Sequence, residues 1–242
     1  MNRLAKLLKL LRLLPHKLYR QGLYRGVAAT VEHEGAFWGM RFDSIIDIGA
    51  SRGMFALTAG RLWPNATIHC FEPLHEPQTQ LHAIAGLTGA HVHAVAIGPR
   101  EEMVTINVSR RDDSSSLLPI GPEQAEIFPG TDKAGEQSVR VYPLSPVLGP
   151  SDLGRRALLK IDVQGYELEA LKGCEPLLGC FTAVYVECSW VELYEGQALA
   201  WNVADWLTQR GFTELGRYNE TKRGGRLVQA DVMFIRRDVP VL

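Results

Sequence analysis

The stretch Ser44-Ile-Ile-Asp-Ile-Gly-Ala-Ser-Arg-Gly53 decides the fold that the sequence predicts. Its first five residues form a short, mostly apolar run, which is typical of a strand buried inside a parallel sheet. Small residues follow directly, and residues 54–62 then have the pattern of a helix that ends before Pro64. A turn of small residues between such a strand and a helix lets the backbone approach a ligand closely, and the helix offers free N–H groups there.

The alternation of strand and helix continues after this stretch. A strand at 67–71, a helix at 77–85 and a strand at 91–97 complete a β-α-β-α-β unit, the first half of a doubly wound sheet. Further elements are expected as helices at 166–171 and 198–209 and as strands at 157–161, 183–187, 212–215 and 231–236. The polar loop 216–229 joins the last two strands, which predicts a hairpin-like ending and an α/β fold class.

The middle of the chain is less regular. Residues 102–109 and 137–144 alternate well enough to be strands, but the segment 110–136 between them is rich in Ser, Pro, Gly and acidic residues. A segment of this length inside a compact domain is typically a lid or a disordered loop. We therefore expect one domain over residues 32–242, with a lid-like insertion at 110–136.

The composition narrows the class of protein. Of 242 residues, 46% are hydrophobic and 22% charged, which is the balance of an ordinary globular protein with one α/β domain. The net charge of −1 creates no overall field that would attract nucleic acid. The four cysteines form no C-x-x-C pair, so we expect reduced thiols in the core of a cytoplasmic protein.

Residues 1–31 carry seven basic side chains and no acidic one. Leucines recur in this segment at helical spacing, at Leu4, Leu7, Leu8, Leu11, Leu14 and Leu18. The pattern predicts a basic amphipathic helix that is bent or broken near Pro15. Two interpretations are open: the leucines pack on the domain or on a second subunit of a homo-oligomer, or residues 1–20 lie peripherally on the anionic inner face of a membrane.

The turn after the first strand differs from two common nucleotide-binding motifs. Compared with G-x-G-x-x-G, Ser51 replaces the second glycine and the third glycine comes one residue early, which argues against a nicotinamide site. The turn is also not the G-x-x-x-x-G-K-[ST] phosphate-binding loop, so an NTPase is not expected.

Acidic residues end several of the predicted strands. Glu72 follows the second strand, 19 residues after Gly53, where a carboxylate can accept hydrogen bonds from both hydroxyls of an adenosine ribose. Asp162 and Glu187 end later strands. Because the carboxyl ends of parallel strands share one edge of a sheet, these acids and Asp47 are expected to line the edge where ligands bind.

These features form part of a wider pattern. The motifs are Asp47-x-Gly-x-Ser-x-Gly53, Glu72, Ala94-Val-Ala-Ile-Gly98, Ser114-Ser-Ser-Leu117, Leu159-Lys-Ile-Asp-Val-Gln-Gly-Tyr-Glu167 and Asp231-Val-Met-Phe-Ile235. Over residues 30–237 the chain resembles the FkbM family of S-adenosylmethionine-dependent methyltransferases. The resemblance implies a Rossmann-like, class I methyltransferase sheet of seven mostly parallel strands with an antiparallel last strand, preceded here by the N-terminal amphipathic helix.

The resemblance also implies a cofactor, S-adenosylmethionine, and residues that would contact it. These are Asp47, Gly49, Ala50, Ser51 and Gly53 at the methionine part, Glu72 with Pro73 at the ribose, Ala96 at the adenine, and Ser115 or Ser116 closing over the site. The chain departs from the family at Ser145 and Gln164, where many relatives have an acid. The resemblance therefore does not establish the contacts for which relatives use an acid at those two positions.

The family's chemistry is mostly O-methylation, in which a hydroxyl oxygen attacks the methyl group and must lose its proton. Asp162 is the first candidate for the base and Glu187 the second; alternatively, the two hold a divalent cation such as Mg²⁺. Lys160 shares a strand face with Asp162 and would orient the acceptor oxygen or neutralise the acids. His33 resembles a family position and is a further candidate in the acceptor pocket.

The expected acceptor is a hydroxyl-bearing molecule. The polar segment 110–136 suits a sugar, and relatives with a basic, leucine-rich leader are associated with surface-polysaccharide assembly, so a glycan or lipid-linked glycan comes first. A polyketide or another secondary metabolite is the alternative acceptor. A third interpretation is that the chain is not an enzyme. It would then be a non-catalytic, cofactor-binding module that its leader recruits to a membrane.

Overall fold

The structure is a computed structural model that describes residues 3–237. Its strands are β1 (Ser44–Ile48), β2 (Thr67–Phe71), β3 (His91–His93), β4 (Ala96–Ile97), β5 (Glu102–Ser109), β6 (Lys133–Tyr142), β7 (Ala157–Ile161), β8 (Phe181–Ser189), β9 (Phe212–Arg223) and β10 (Arg226–Arg236). Its α-helices are α1 (Arg3–Leu13), α2 (Lys17–Tyr24), α3 (Met54–Leu62), α4 (His75–Thr88), α5 (Pro122–Ile127), α6 (Glu167–Cys174) and α7 (Ala200–Gln209). A 3₁₀ segment, Val31–Phe37, precedes β1.

Seven strands form the main sheet in the order β3-β2-β1-β7-β8-β10-β9. Neighbouring strands are parallel except at β10, which runs antiparallel to both β8 and β9. The predicted α/β sheet with an antiparallel last strand is confirmed. The strand order reverses between β1 and β7, and open α/β sheets bind ligands beyond the carboxyl ends of their strands at such a point.

The centre of the sheet is buried on both faces. Every residue of β1 and β7 is buried. Ile45 packs in the cluster that contains α3, whereas Ile46 and Ile48 pack in the cluster that contains α6 and α7. Because helices cover both faces, the central strands have nearly continuous apolar sequences and not an alternation of apolar and polar residues.

The strand predicted at 91–97 is in fact two strands. β3 ends at His93, and β4 pairs instead with β6 in a second sheet of order β4-β6-β5. The prediction is wrong because the chain leaves the edge of the main sheet after three residues and buries Ala96 and Ile97 at the second sheet. The segment 110–136 is likewise not one irregular loop, since it contains α5 and the first residues of β6.

The C-terminal hairpin is longer than predicted. β9 and β10 extend to a two-residue turn at Gly224 and Gly225, whose φ angles of 55° and 79° lie in the left-handed region. Two glycines with positive φ are the usual residues of such a tight turn. The predicted loop at 216–229 is wrong because β9 is an edge strand, where exposed polar residues replace the apolar pattern of a buried strand.

The N-terminal segment is broken at the predicted place, between α1 and α2. Leu13 is 2% exposed and Tyr19 is fully buried against the domain. α1 contacts the domain through its basic side, because Lys9 lies 3.0 Å from Glu32 and Arg12 donates to the Val31 carbonyl at 2.6 Å. Its opposite face is exposed at Leu4, Leu7, Leu8 and Leu11, and Leu14, just after the end of α1, is exposed as well.

Within residues 3–237, no helix is both long enough and apolar enough to span a membrane. α1 has 11 residues and includes basic side chains.

Three histidines stack at the edge formed by β2 and β3. His69 is 8% exposed, its Nδ1 lies 3.0 Å from His93 Nε2, and its ring stacks on those of His91 and His93. Burial, together with the nearby His93 and His91, lowers the pKa of His69 from 6.5 to about 4. The folded protein therefore keeps this imidazole neutral over a range in which an unfolded chain protonates it.

This cluster predicts sensitivity to acid. Between pH 6.5 and pH 4 the unfolded chain binds a proton that folded His69 does not, so stability is lost as the pH falls. On acidification from pH 7 to pH 4, the free energy of unfolding should fall by up to about 3 kcal/mol more in the wild type than in His69→Gln. Urea unfolding at a series of pH values measures the difference, with His82→Gln on the exposed side of α4 as the matched control. Parallel pH curves for the wild type and His69→Gln would contradict it.

Candidate active site

A cleft that is partly open to solvent lies beyond the carboxyl ends of β1, β2 and β7, and the space along its walls amounts to about 870 Å³ when the open solvent is included. Eight of the ten residues that the resemblance places at a cofactor line it: Gly49, Ala50, Ser51, Glu72, Pro73, Ala96, Ser115 and Ser116. Asp47 and Gly53 do not. Asp47 is fully buried within β1, and Gly53 packs against Leu81 and Ile84 of α4.

The turn after β1 depends on its backbone conformation. Gly49 has a φ of 81°, and a Cβ atom there would lie 1.8 Å from the carbonyl oxygen of Asp162. Only glycine fits where these two loops meet. Ser51 also has a positive φ, 47°, and its Oγ is buried with no hydrogen-bond partner among the described residues. A buried hydroxyl in this position would be satisfied by a polar atom of a ligand.

Glu72 is held in place by backbone donors. Its side chain accepts hydrogen bonds from the N–H of Ser51 at 2.9 Å and from the N–H of Leu74 at 2.8 Å. Glu72 is only 6% exposed and lines the cleft. Carboxylate oxygens are hydrogen-bond acceptors, so a carboxylate fixed in this position suits a pair of ligand hydroxyls.

Next to Glu72 the cleft becomes apolar. This part of the wall is formed by Leu74, Ala96, Ile97, Ile106 and Leu117. An apolar slot beside a fixed carboxylate offers what an adenosine needs, namely surface for the base and acceptors for the ribose hydroxyls. The residues present therefore fit the adenosine part of S-adenosylmethionine.

Lys160 brings a positive charge to the cleft. Its Nζ lies 3.1 Å from Asp47 Oδ1 and 3.6 Å from Asp162 Oδ2. The Lys160 side chain is 7% exposed and that of Asp47 is 0% exposed, so water screens this ion pair little. Burial lowers the pKa of Lys160, but the charges of Asp47 and Asp162 raise it by more, so the ammonium group stays charged.

Gln164 joins the two carboxylates that the sequence proposes for the chemistry. Its Nε2 donates to Asp162 Oδ1 at 2.7 Å and to Glu187 Oε2 at 2.9 Å, while its Oε1 accepts from the Tyr194 hydroxyl at 2.8 Å. Its backbone carbonyl accepts from the Ser116 hydroxyl at 2.6 Å. These contacts fix the amide with its NH₂ group facing both carboxylates.

Asp162 and Glu187 do not fit the alternative role as ligands of a shared divalent cation. The Gln164 NH₂ group donates to both carboxylates and occupies the place between them where such a cation would bind. Within residues 3–237, no group of three or more His, Cys, Asp or Glu side chains is arranged to hold a metal ion.

The catalytic candidates differ in their access to the cleft. Lys160, Asp162 and His33 line it, but Glu187 does not. Burial and the charge of Asp162 raise the pKa of Glu187 well above the ordinary value of a carboxyl group. Glu187 is thus placed to support Asp162 through Gln164 rather than to contact a ligand in this cleft.

His33 enters the cleft from the 3₁₀ segment. Its Nδ1 lies 2.9 Å from the Tyr185 hydroxyl and 3.2 Å from Asp231 Oδ2. These partners come from β8 and β10, which the sequence predicts as strands without placing them near His33. Sequence reasoning also missed Thr30 and Tyr166, which line the cleft. Thr30 lies three positions before His33, and Tyr166 lies within the 159–167 motif. Their nearness in sequence to predicted site residues could have identified both.

The comparisons with known proteins agree with this geometry. Residues 47–214 match the family model described as the methyltransferase FkbM domain. The curated 2-O-methyltransferase NoeI of Sinorhizobium fredii is 28% identical over 160 residues, covering 63% of this chain and 66% of that protein. The 31-O-demethyl-FK506 methyltransferase FkbM of Streptomyces tacrolimicus is 28% identical over 167 residues, covering 55% of this chain and 60% of that protein. The chain therefore spans no more than about two thirds of these relatives.

A solved structure also shares the fold. An uncharacterized protein from Listeria monocytogenes serotype 4b has a TM-score of 0.50 and 12% identity, covering 88% of this chain and 70% of that one. At this identity the likeness concerns the fold alone. The family model, in contrast, covers more than half of the chain, including the turn after β1, Glu72 and the Lys160–Asp162 motif. The chain belongs to the FkbM methyltransferase domain family.

Proposed function

We propose that the protein transfers the methyl group of S-adenosylmethionine to a hydroxyl group of an acceptor. The observation that carries the proposal is the Glu72 carboxylate, which Ser51 and Leu74 hold between the small-residue turn and the apolar part of the cleft. This position suits the ribose of the cofactor, with the adenine toward Ala96 and the methionine part toward Gly49. The two relatives described above are both named as O-methyltransferases or as acting at an O-methyl position.

The reaction is a displacement at carbon. S-adenosylmethionine supplies a methyl group bound to a positively charged sulfur. The acceptor oxygen forms a bond to the methyl carbon while the carbon–sulfur bond breaks, and the hydroxyl proton passes to a base. The products are a methyl ether and S-adenosylhomocysteine. Catalysis then depends on holding the acceptor oxygen in line with that bond in a cleft with little water.

Asp162 is the residue that we propose to orient the acceptor hydroxyl. It lines the cleft, and its side chain is 32% exposed. Gln164 fixes Oδ1, and the Lys160 ammonium lies 3.6 Å from Oδ2. A carboxylate held from two sides can accept a hydrogen bond from an acceptor hydroxyl next to the reacting one without moving.

Among acceptors, we place sugars first. Asp113 lines the cleft from the segment 110–136, whose polar composition suits a hydroxyl-rich ligand. The alternative is a polyketide or another secondary metabolite, which the name of the Streptomyces relative supports. A non-catalytic, cofactor-binding role would leave the ordered Asp162–Gln164–Glu187 network without a use.

An assay for S-adenosylhomocysteine tests the proposed activity. The full chain is incubated with S-adenosylmethionine and, in parallel, with methyl glycosides, oligosaccharides, a lipid-linked glycan preparation and hydroxylated macrolides. We expect acceptor-dependent S-adenosylhomocysteine, highest with a carbohydrate. Turnover with macrolides alone would show that the acceptor is a secondary metabolite and not a sugar. Cofactor binding without turnover on any acceptor would favour the non-catalytic role.

The substitution Asp162→Asn should lower methyl transfer by about 100-fold, because it removes the charge that orients the acceptor. Binding of S-adenosylmethionine should stay within about twofold of the wild type, since Glu72 and the turn after β1 are unchanged. Initial rates and calorimetric titration measure the two effects. Asp132→Asn, at an exposed position of the same residue type, is the matched control. An Asp162→Asn protein with the normal rate would disprove this role.

We further propose that α1 lies on the anionic inner face of a membrane, consistent with a cytoplasmic protein. Its outer face presents leucines that are 44–63% exposed, among them Leu7 and Leu11. Lys9 and Arg12 face the domain, but Lys17, Arg20 and Arg25 of the same segment are exposed. These charges favour an anionic bilayer over a second basic segment as the partner. The glycan assignment is compatible with this placement, because a lipid-linked acceptor lies at the same surface.

Replacement of Leu7 and Leu11 by Ser should lower binding to vesicles of phosphatidylglycerol and phosphatidylcholine by at least about tenfold, because two buried apolar side chains are lost at the interface. Cosedimentation measures the bound fraction. The control is the double substitution Met103→Ser and Leu215→Ser, at apolar residues of similar exposure, 61% and 49%. A wild-type protein that does not bind vesicles and forms a dimer that the leucine substitutions dissociate would show that a second copy covers this face.

A further inference from the structure

A histidine and an aspartate meet at the cleft from distant parts of the chain. His33 lies in the 3₁₀ segment before β1, and Asp231 lies in β10. The distance from His33 Nδ1 to Asp231 Oδ2 is 3.2 Å, with side-chain exposures of 14% and 10%. A carboxylate beside one ring nitrogen of a histidine sets the tautomer and the orientation of the ring.

The Asp231 carboxylate is itself held in place. Asn219 Nδ2 donates to Asp231 Oδ2 at 2.7 Å and lies 3.1 Å from His33 Nδ1. Burial raises the pKa of Asp231, but its hydrogen bonds with His33 and Asn219 lower it by more, so the carboxylate is negatively charged. Burial and the charge of Asp231 raise the pKa of the Tyr185 hydroxyl, which therefore stays protonated as a hydrogen-bonding group.

The other ring nitrogen of His33 is left for the cleft. His33 is a lining residue, and its ring stands edge-on to Phe55 and Tyr185, with centroid distances of 6.1 and 5.6 Å. Tyr185, Asn219 and Asp231 surround Nδ1. No described residue forms a hydrogen bond with Nε2 in this arrangement. A lone pair on Nε2 could therefore accept a proton from a molecule bound in the cleft.

We propose that His33 is the general base of the methyl transfer and that Asp231 is a positioning residue that keeps the proton of the neutral ring on Nδ1. The proposal rests on the proposed function. Nε2 takes the hydroxyl proton of the acceptor while the oxygen bonds to the methyl carbon and the carbon–sulfur bond breaks. Asp231 then faces the resulting imidazolium, which passes its proton to water after the methyl ether and S-adenosylhomocysteine leave.

Asp162, the base expected first from the sequence, is less available for this step. Its Oδ1 accepts the Gln164 amide at 2.7 Å, and its Oδ2 faces the Lys160 ammonium at 3.6 Å. Both oxygens are therefore engaged, whereas Nε2 of His33 is not. The two residues have different roles: Asp162 orients the acceptor by accepting a hydrogen bond from a neighbouring hydroxyl, and His33 removes the proton of the reacting hydroxyl.

The first test uses His33→Ala with added imidazole. The turnover number should fall by at least about 100-fold, while the dissociation constant of S-adenosylmethionine stays within about twofold. Imidazole in the buffer should restore part of the rate of His33→Ala but not of Asp162→Asn. His82→Ala, which removes an exposed histidine from α4, should behave as the wild type. If His33→Ala instead loses cofactor affinity in step with its rate, His33 binds the cofactor and is not the base.

The second test requires no acceptor. Nitrogen-15 NMR of histidine-labelled protein should find the neutral His33 ring protonated at Nδ1 in the wild type and shifted toward protonation at Nε2 in Asp231→Asn, at a temperature where circular dichroism shows both proteins folded. Asp231→Asn should also lower turnover by at least about tenfold. A ring protonated at Nε2 in the wild type would overturn the proposal. If no acceptor is methylated but the ring is protonated at Nδ1, the proposed function fails while the pairing with Asp231 stands.

Discussion

The buried ion pair between Lys160 and Asp47 is the interaction on which the rest of the site depends. The two residues are register partners on β7 and β1, the strands that flank the reversal of the strand order. Their charged atoms lie 3.1 Å apart in an almost fully buried setting, where loss of one partner of such a pair typically costs about 3–5 kcal/mol. The same ammonium lies 3.6 Å from Asp162, so one charge fixes the strand pair and also holds an acid in the cleft.

The loops beyond this pair are tied to each other in the same way. Gly49 passes so close to the backbone of Asp162 that a side chain would not fit, and Ser51 binds Glu72. Gln164 then connects Asp162 to Glu187 on the next strand. The cleft therefore combines an apolar slot, a fixed acid at Glu72, and polar groups that include Asp162 and His33. This combination suits a nucleoside cofactor together with an acceptor.

The parts of the structure that depend on local pattern could be predicted from the sequence. The buried run before Gly49, the small residues after it and the strand-end Glu72 predict the central β-α-β unit, and the family resemblance implies eight of the residues that line the cleft. The contacts of His33 could not be predicted, because the antiparallel β10 inserts between β8 and β9 and carries Asp231 next to a segment far away in the chain. The leucine spacing of α1 predicts an apolar face, but the pairing of Lys9 with Glu32, which turns that face outward, is a tertiary contact.

The central claim is that the cleft binds S-adenosylmethionine through Glu72. Calorimetric titration of the purified chain with S-adenosylmethionine, S-adenosylhomocysteine and NAD tests it most directly, with Glu72→Gln as the variant and Glu76→Gln, at an exposed position on α4, as its control. We expect both sulfur nucleosides to bind the wild type and Glu76→Gln, NAD not to bind, and Glu72→Gln to weaken binding by at least about tenfold, since it loses a charge-assisted contact to the ribose. Binding of NAD alone, of no nucleoside, or of the sulfur nucleosides with equal strength by Glu72→Gln would contradict the account.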